Sequence, residues 1–177
     1  NTKYNALFER MIGDSSYQVS AAALEALGDV NPNKALEYAA RHQNEKNVNM
    51  LLAVAAVYAT SGSELQQEFF EQILKTGTES GKYSLVYYYA NYLSRMDKAT
   101  VLKGISGIEQ AAGNPQQSYV RQACRGALKR ISKLFGEKKK QAQTDLNAAK
   151  SDEARAALQE KVTHYEQLMA AANEAIQ

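Results

Sequence analysis

Cysteine is almost absent from this chain of 177 residues: Cys124 is the only one. No internal disulfide can form, and no cysteine-rich zinc site can be assembled. Arg121 and Arg125 flank Cys124 in sequence but point off its face, and no base stands beside it, so the thiol reads as a small buried hydrophobe. Tryptophan is missing and proline occurs twice. Histidine is scarce too. His42 and His164 lie far apart, and neither sits in H-E-x-x-H or another metal-ligand spacing. His42 falls near an expected helix C-terminus, where a positive group suits the dipole. No G-x-S-x-G, phosphate-binding loop or dinucleotide glycine pattern occurs. Gly104 and Gly107 fall inside a helical pattern, where they permit close packing. The longest apolar run, Met50 to Ala59, is about ten residues and too short to cross a bilayer. Net charge is +2, which selects no class of partner.

What is present is helix-forming material. Alanine, leucine, glutamine, lysine and glutamate dominate, and strand-like alternation of Val, Ile and Thr is absent. The expected class is all-α. A first short helix covers Lys3 to Ile12, with Tyr4, Leu7, Phe8 and Met11 on one face. Ser15 to Gln18 reads as a capping box opening a second helix. Its apolar face is set at Val19, Ala22, Ala23, Ala26 and Leu27, and Gly28 is expected to end it. On that register Ala22→Leu overpacks the helix stack at a cost of about 1–3 kcal/mol. Asn31-Pro32 opens a third helix with Ala35, Leu36, Ala39 and Ala40 inward. A fourth runs from about Lys46 to Thr60 on Val48, Leu51, Leu52, Ala55 and Ala56. Gly62 stops it, and Ser63 to Gln66 forms another capping box. The fifth is lined by Leu65, Phe69, Phe70, Ile73 and Leu74. The sixth follows Gly81 with Leu85, Tyr88, Tyr89, Tyr92 and Leu93 inward. Asp97 caps the seventh, which buries Val101, Leu102, Ile105 and Ile108. Asn114-Pro115 opens the eighth on Val120, Ala123, Cys124, Ala127, Leu128, Ile131 and Leu134, with a stop near Gly136.

Val19, Val48, Leu85 and Val120 each begin the same i, i+3, i+4, i+7, i+8 set, at offsets of 29, 37 and 35 residues. Two helices per period is the mark of an α-solenoid of HEAT or armadillo-like antiparallel pairs, expected here over residues 1–136. Residues 137–177 are expected to form a helical hairpin or one long bent helix that caps the stack. Ala142, Leu146 and Ala149 are its first face. Asp152 caps its last helix, where Leu158, Val162, Tyr165, Met169, Ala172 and Ile176 follow a heptad seam.

Two surface features stand out. Arg121, Arg125, Lys129 and Lys133 recur every four residues, and Lys138, Lys139 and Lys140 follow. Such a stripe can hold phosphate or an acidic partner. Without interleaved aromatics it reads first as a solvated face, so no nucleic-acid partner is expected. Five tyrosines crowd residues 83–92. Tyr88, Tyr89 and Tyr92 share the apolar side, while Tyr83 and Tyr87 lie together on another and are free to line an interface.

The stretch Asp14-Ser15-Ser16-Tyr17-Gln18-Val19-Ser20-Ala21-Ala22-Ala23-Leu24-Glu25-Ala26-Leu27 resembles the D-x-S-Y-x-V-x-x-A-A-L-x-A-L pattern found in the C-terminal HEAT-like domain of zinc aminopeptidases. These are the gluzincins of the membrane alanyl aminopeptidase (aminopeptidase N) family, bacterial members in particular. Asn31 to Leu36 resembles the inter-repeat segment there. In that family H-E-x-x-H with a distant Glu binds zinc, and G-x-M-E-N binds the substrate amine, all on a separate peptidase domain. None of these motifs occurs here, so no catalytic residue is carried over. The resemblance implies a non-catalytic C-terminal domain that packs on the peptidase domain and shapes peptide access, with zinc only in the parent. It also implies a processed chain or fragment, in keeping with Asn1 in place of Met and no signal pattern. The alternative is a free-standing helical repeat scaffold that binds a protein or peptide in its groove.

Overall fold

The helix-rich composition is realised throughout. The structure, a computed structural model, describes residues 2–114 and 116–177, and no strand forms among them. Their α-helices are α1 (Thr2–Ile12), α2 (Tyr17–Val30), α3 (Pro32–His42), α4 (Val48–Ser61), α5 (Gln67–Thr76), α6 (Glu79–Leu93), α7 (Lys98–Ala112), α8 (Ser118–Ala148) and α9 (Asp152–Glu174). A 3-10 turn, Glu64–Gln66, leads into α5. The helices gather into two compact units, residues 1–92 and 93–177. The division expected at 136/137 falls inside α8.

In the first unit α2 lies against α1, α3 and α4, and α3 also touches α4. The buried face of α2 is Ser20, Ala21, Ala23, Leu24 and Leu27. This is one position off the register read from the sequence: Val19 is half-buried and Ala22 is exposed. Ser20 makes the difference. Its hydroxyl donates to the carbonyls of Ile12 at 2.8 Å and Asp14 at 3.0 Å, so a polar side chain enters the core fully satisfied. Ser15 and Ser16 do not form the expected capping box; Asp14 Oδ1 instead accepts the Ser16 N–H at 2.8 Å. Nor does Gly28 end the helix. It stays helical and faces Val57 of α4, so the missing side chain serves helix packing.

The α3 start is as expected, with Asn31 Oδ1 accepting from the Lys34 N–H ahead of Pro32. Only Ala35 and Ala39 of its expected face are fully buried. In α4 Met50, Ala53, Val54, Ala55, Val57, Tyr58 and Ala59 are buried, whereas Val48 is exposed. Residues buried around most of its circumference leave no single stripe for periodicity to find. Gly62 caps it as expected, and an added Cβ there would lie 2.6 Å from the Tyr58 carbonyl oxygen. The capping box from Ser63 is present: Gln66 Oε1 accepts the Ser63 N–H at 2.8 Å.

Aromatic rings hold α4, α5 and α6 together. Phe70 stacks on Tyr89 at 4.8 Å and tilts against Tyr92 at 4.9 Å, while Phe69 meets the Tyr58 ring edge-on at 5.2 Å. The buried phenols are satisfied. Tyr92 donates to the Ser63 carbonyl at 2.6 Å, and Gln67 donates to the Tyr89 oxygen at 3.4 Å. Helix α6 begins at Glu79, so Gly81 lies within it. Tyr83 and Tyr87 are exposed and Tyr88 is half-buried.

The second unit packs α7, α8 and α9 against one another. Asp97 caps α7 as expected, accepting the Thr100 N–H at 2.7 Å. That bond, first among those to this turn, holds the Asp97 carboxyl below its ordinary pKa of 3.8. A folded pKa below the unfolded one gives a stabilisation that is complete above the unfolded value and fades as pH falls through the folded value. Asp97→Ala is therefore expected to lower the melting temperature near neutral pH, with the gap closing toward about pH 2. Thermal circular dichroism at both pH values checks this; an unchanged gap would show that the charge is not what caps the helix.

Helix α8 does not stop near Gly136 but runs on to Ala148. Glycine ends a helix most readily in a left-handed conformation, and among the described residues no glycine adopts one. Good helix formers follow Gly136, and a Cβ there would lie 3.4 Å from Met169 Cε on α9. The α8 start was expected at Asn114-Pro115; Pro115 lies outside the described residues and the helix begins at Ser118. Ser151, not Asp152, caps α9, accepting from the Ala154 N–H at 3.2 Å. Phe135 against Tyr165 and Lys139 against Glu166 fix α8 and α9 as an antiparallel hairpin. Val162, Leu168 and Ala172 form the buried side of α9, so Leu168 joins a seam in which Tyr165 and Met169 are half-buried.

Candidate functional site

Among the concave surfaces formed by described residues of the first unit, two bear on function. One is an apolar groove of about 350 Å³ between α1 and α2, lined by Phe8, Met11, Gln18, Val19, Ala22 and Ala23. Tyr4 and Leu7, expected on the inner face of α1, are 48% and 38% exposed, and Tyr17 of α2 is 47% exposed. Tyr4 stacks on the groove residue Phe8 at 6.4 Å, so an uncovered ring stands beside the groove. The near-total lack of polar lining makes it a packing surface; it holds no set of groups for a reaction.

The other is a cleft of about 480 Å³ between the end of α3, α4 and α5. Leu51, Phe69 and Ile73 give it apolar ground, and Leu65 stands on its rim at 85% exposure. Gln43, Asn44, Gln66, Gln72 and Thr76 supply polar groups, and Glu45 and Glu68 supply its only formal charges. Glu45 lies 3.6 Å from His42 Nδ1 at the α3 C-terminus, the dipole-favoured position read from the sequence. Sequence periodicity had assigned Leu65 to the core by its spacing from Phe69. Leu65 lies in the 3-10 turn before α5, where α-helical spacing does not apply.

The basic stripe is arranged otherwise. Arg125, Lys129 and Lys133 are exposed along α8, and Arg121 is half-buried. Lys133 lies 3.9 Å from Glu137. Of the lysines that follow, Lys139 pairs with Glu166 at 2.6 Å. Lys138 donates to the Ser94 carbonyl and lies over the rings of Phe135 at 5.6 Å and Tyr165 at 6.0 Å. Burial, then the nearby Arg95, push the Lys138 ammonium below its ordinary pKa. These two lysines serve the α8–α9 hairpin.

On α6 burial, followed by the charge of Glu25, raises the Tyr88 phenol, and burial with Asp29 raises the Glu25 carboxyl. Tyr89 is pushed higher still by its burial. Cys124 is fully buried, as its apolar surroundings imply. His164 meets Tyr165 edge-on at 5.6 Å. Among the described residues no three His, Cys, Asp or Glu side chains converge on a point that would hold a metal ion. Nor is any described helix long and apolar enough to cross a membrane. No protein family, curated protein or solved structure matches the chain.

Proposed function

We propose that this chain is the non-catalytic C-terminal helical domain of a zinc metallo-aminopeptidase, packed against the peptidase domain and shaping the access of peptides to it. The observation that carries the reading is the uncovered apolar surface of α1 and α2, where Tyr4, Leu7 and Tyr17 are exposed and a groove opens between Phe8, Met11, Val19 and Ala22. Contiguous apolar surface of this kind is costly in water and marks a place where another surface docks. It coincides with the Asp14–Leu27 stretch that carries the resemblance to the aminopeptidase domain. The HEAT-like arrangement belongs to the same proposal. In the first unit α3 touches both α2 and α4 while α2 and α4 also meet, which is how stacked helix pairs share their neighbours. Zinc belongs, on this reading, to the parent's catalytic domain.

Two measurements test it. The residues encoded ahead of Asn1 should include H-E-x-x-H with a distant Glu; an encoded chain without that motif would sink the proposal. The present chain, given zinc, should not hydrolyse an alanyl anilide, and turnover would show that chemistry resides here. A second reading, a free-standing helical scaffold that binds peptide, is favoured by the amide-lined cleft of α4 and α5.

A further inference from the structure

The structure assigns to the α4–α5 cleft a binding site for an extended peptide that carries an apolar side chain beside a basic one. The Gln66 amide is fixed by the capping box. Its Oε1 accepts the Ser63 N–H, a bond whose direction admits no alternative, so its Nε2 is the group left to donate. Gln43 Oε1 accepts from the Tyr58 hydroxyl at 3.3 Å, which likewise leaves that residue's amide N–H groups available. With Asn44 and Gln72 the cleft presents four side-chain amides. Gln43 and Gln66 offer donors to peptide carbonyls, while Asn44 and Gln72 each add a donor and an acceptor, the complement of a peptide bond, which an extended backbone presents at regular intervals.

The apolar requirement follows from Leu65. Exposed at 85%, on the rim of a floor made by Leu51, Phe69 and Ile73, it offers contact area to an incoming apolar side chain. The basic requirement follows from charge. Glu45 and Glu68 line the cleft and no Lys or Arg does, so a cationic side chain is attracted and an acidic one repelled.

The test uses the isolated chain labelled with nitrogen-15 and two probes, an N-acetylated, C-amidated hexapeptide of alternating lysine and leucine and its glutamate–leucine counterpart. The basic peptide is expected to shift amide resonances of residues 43–45 and 65–76, and the acidic one to bind at least about tenfold more weakly. Leu65→Ser, at a site too exposed to affect folding, is expected to weaken the basic peptide about tenfold. Glu68→Lys is expected to reverse the preference between the two. Equal affinity for both peptides, shifts located elsewhere, or indifference to both substitutions would overturn the assignment. Because the isolated chain is read directly, failure here leaves the peptidase-domain proposal standing, and the motif search ahead of Asn1 can fail without touching the cleft.

Discussion

Replacing Phe70 with alanine is expected to cost about 3–5 kcal/mol, the range for deleting a fully buried aromatic ring. Phe70 has no exposed surface and meets three rings, those of Phe69, Tyr89 and Tyr92. Truncation removes its transfer energy and leaves a hole that those rings cannot collapse into freely. Tyr92 is held by its bond to the Ser63 carbonyl, and Tyr89 by Gln67. Either phenol, if it moved to fill the space, would give up a buried hydrogen bond worth about 1 kcal/mol. Phe70→Leu retains most of the volume and should cost less, losing chiefly the ring contacts at about 0.5–1.5 kcal/mol each. Urea unfolding followed by near-ultraviolet circular dichroism of the tyrosines reads both variants. A loss for Phe70→Ala below about 1 kcal/mol would mean that this cluster is not packed as described.

The alternation of helices was legible in the sequence because its punctuation is local. Asn31 with Pro32, Ser63 with Gln66 and Asp97 with Thr100 each satisfy orphan backbone groups within one turn, and the structure keeps all three. What failed was tertiary in origin. Gly28 and Gly136 look like stops, yet each lies beside a side chain of a neighbouring helix, Val57 and Met169, which no local pattern reveals. Ser20 was absent from the expected buried face because its two acceptors sit six and eight residues back in the preceding turn and helix. The site followed the same rule. The basic stripe was visible as a four-residue repeat, but the uses of Lys138 and Lys139 depend on α9. The cleft was invisible because its residues come from three segments and its exposed leucine sits in a 3-10 turn.

Leu24→Ala and Ala22→Leu together decide the register of α2. Leu24 has no exposed surface and lies on the helix that touches α1, α3 and α4, so its truncation is expected to cost about 2–5 kcal/mol. Ala22, two residues away, borders the apolar groove on the exposed side. Enlarging it meets open space, and the overpacking expected from the sequence register is replaced by a change within about 0.5 kcal/mol. Chemical denaturation of the two variants separates the registers, since the sequence register assigns the large effect to Ala22 and the structure assigns it to Leu24. The same pair bears on function. A domain seated on the groove would turn Ala22 into an interface residue, where an added isobutyl group obstructs the contact. On the proposed reading, Ala22→Leu should leave the isolated chain unchanged while lowering the unfolding temperature of a parent whose peptidase domain docks here. Equal stability of parent and variant would show that nothing in the parent covers this groove.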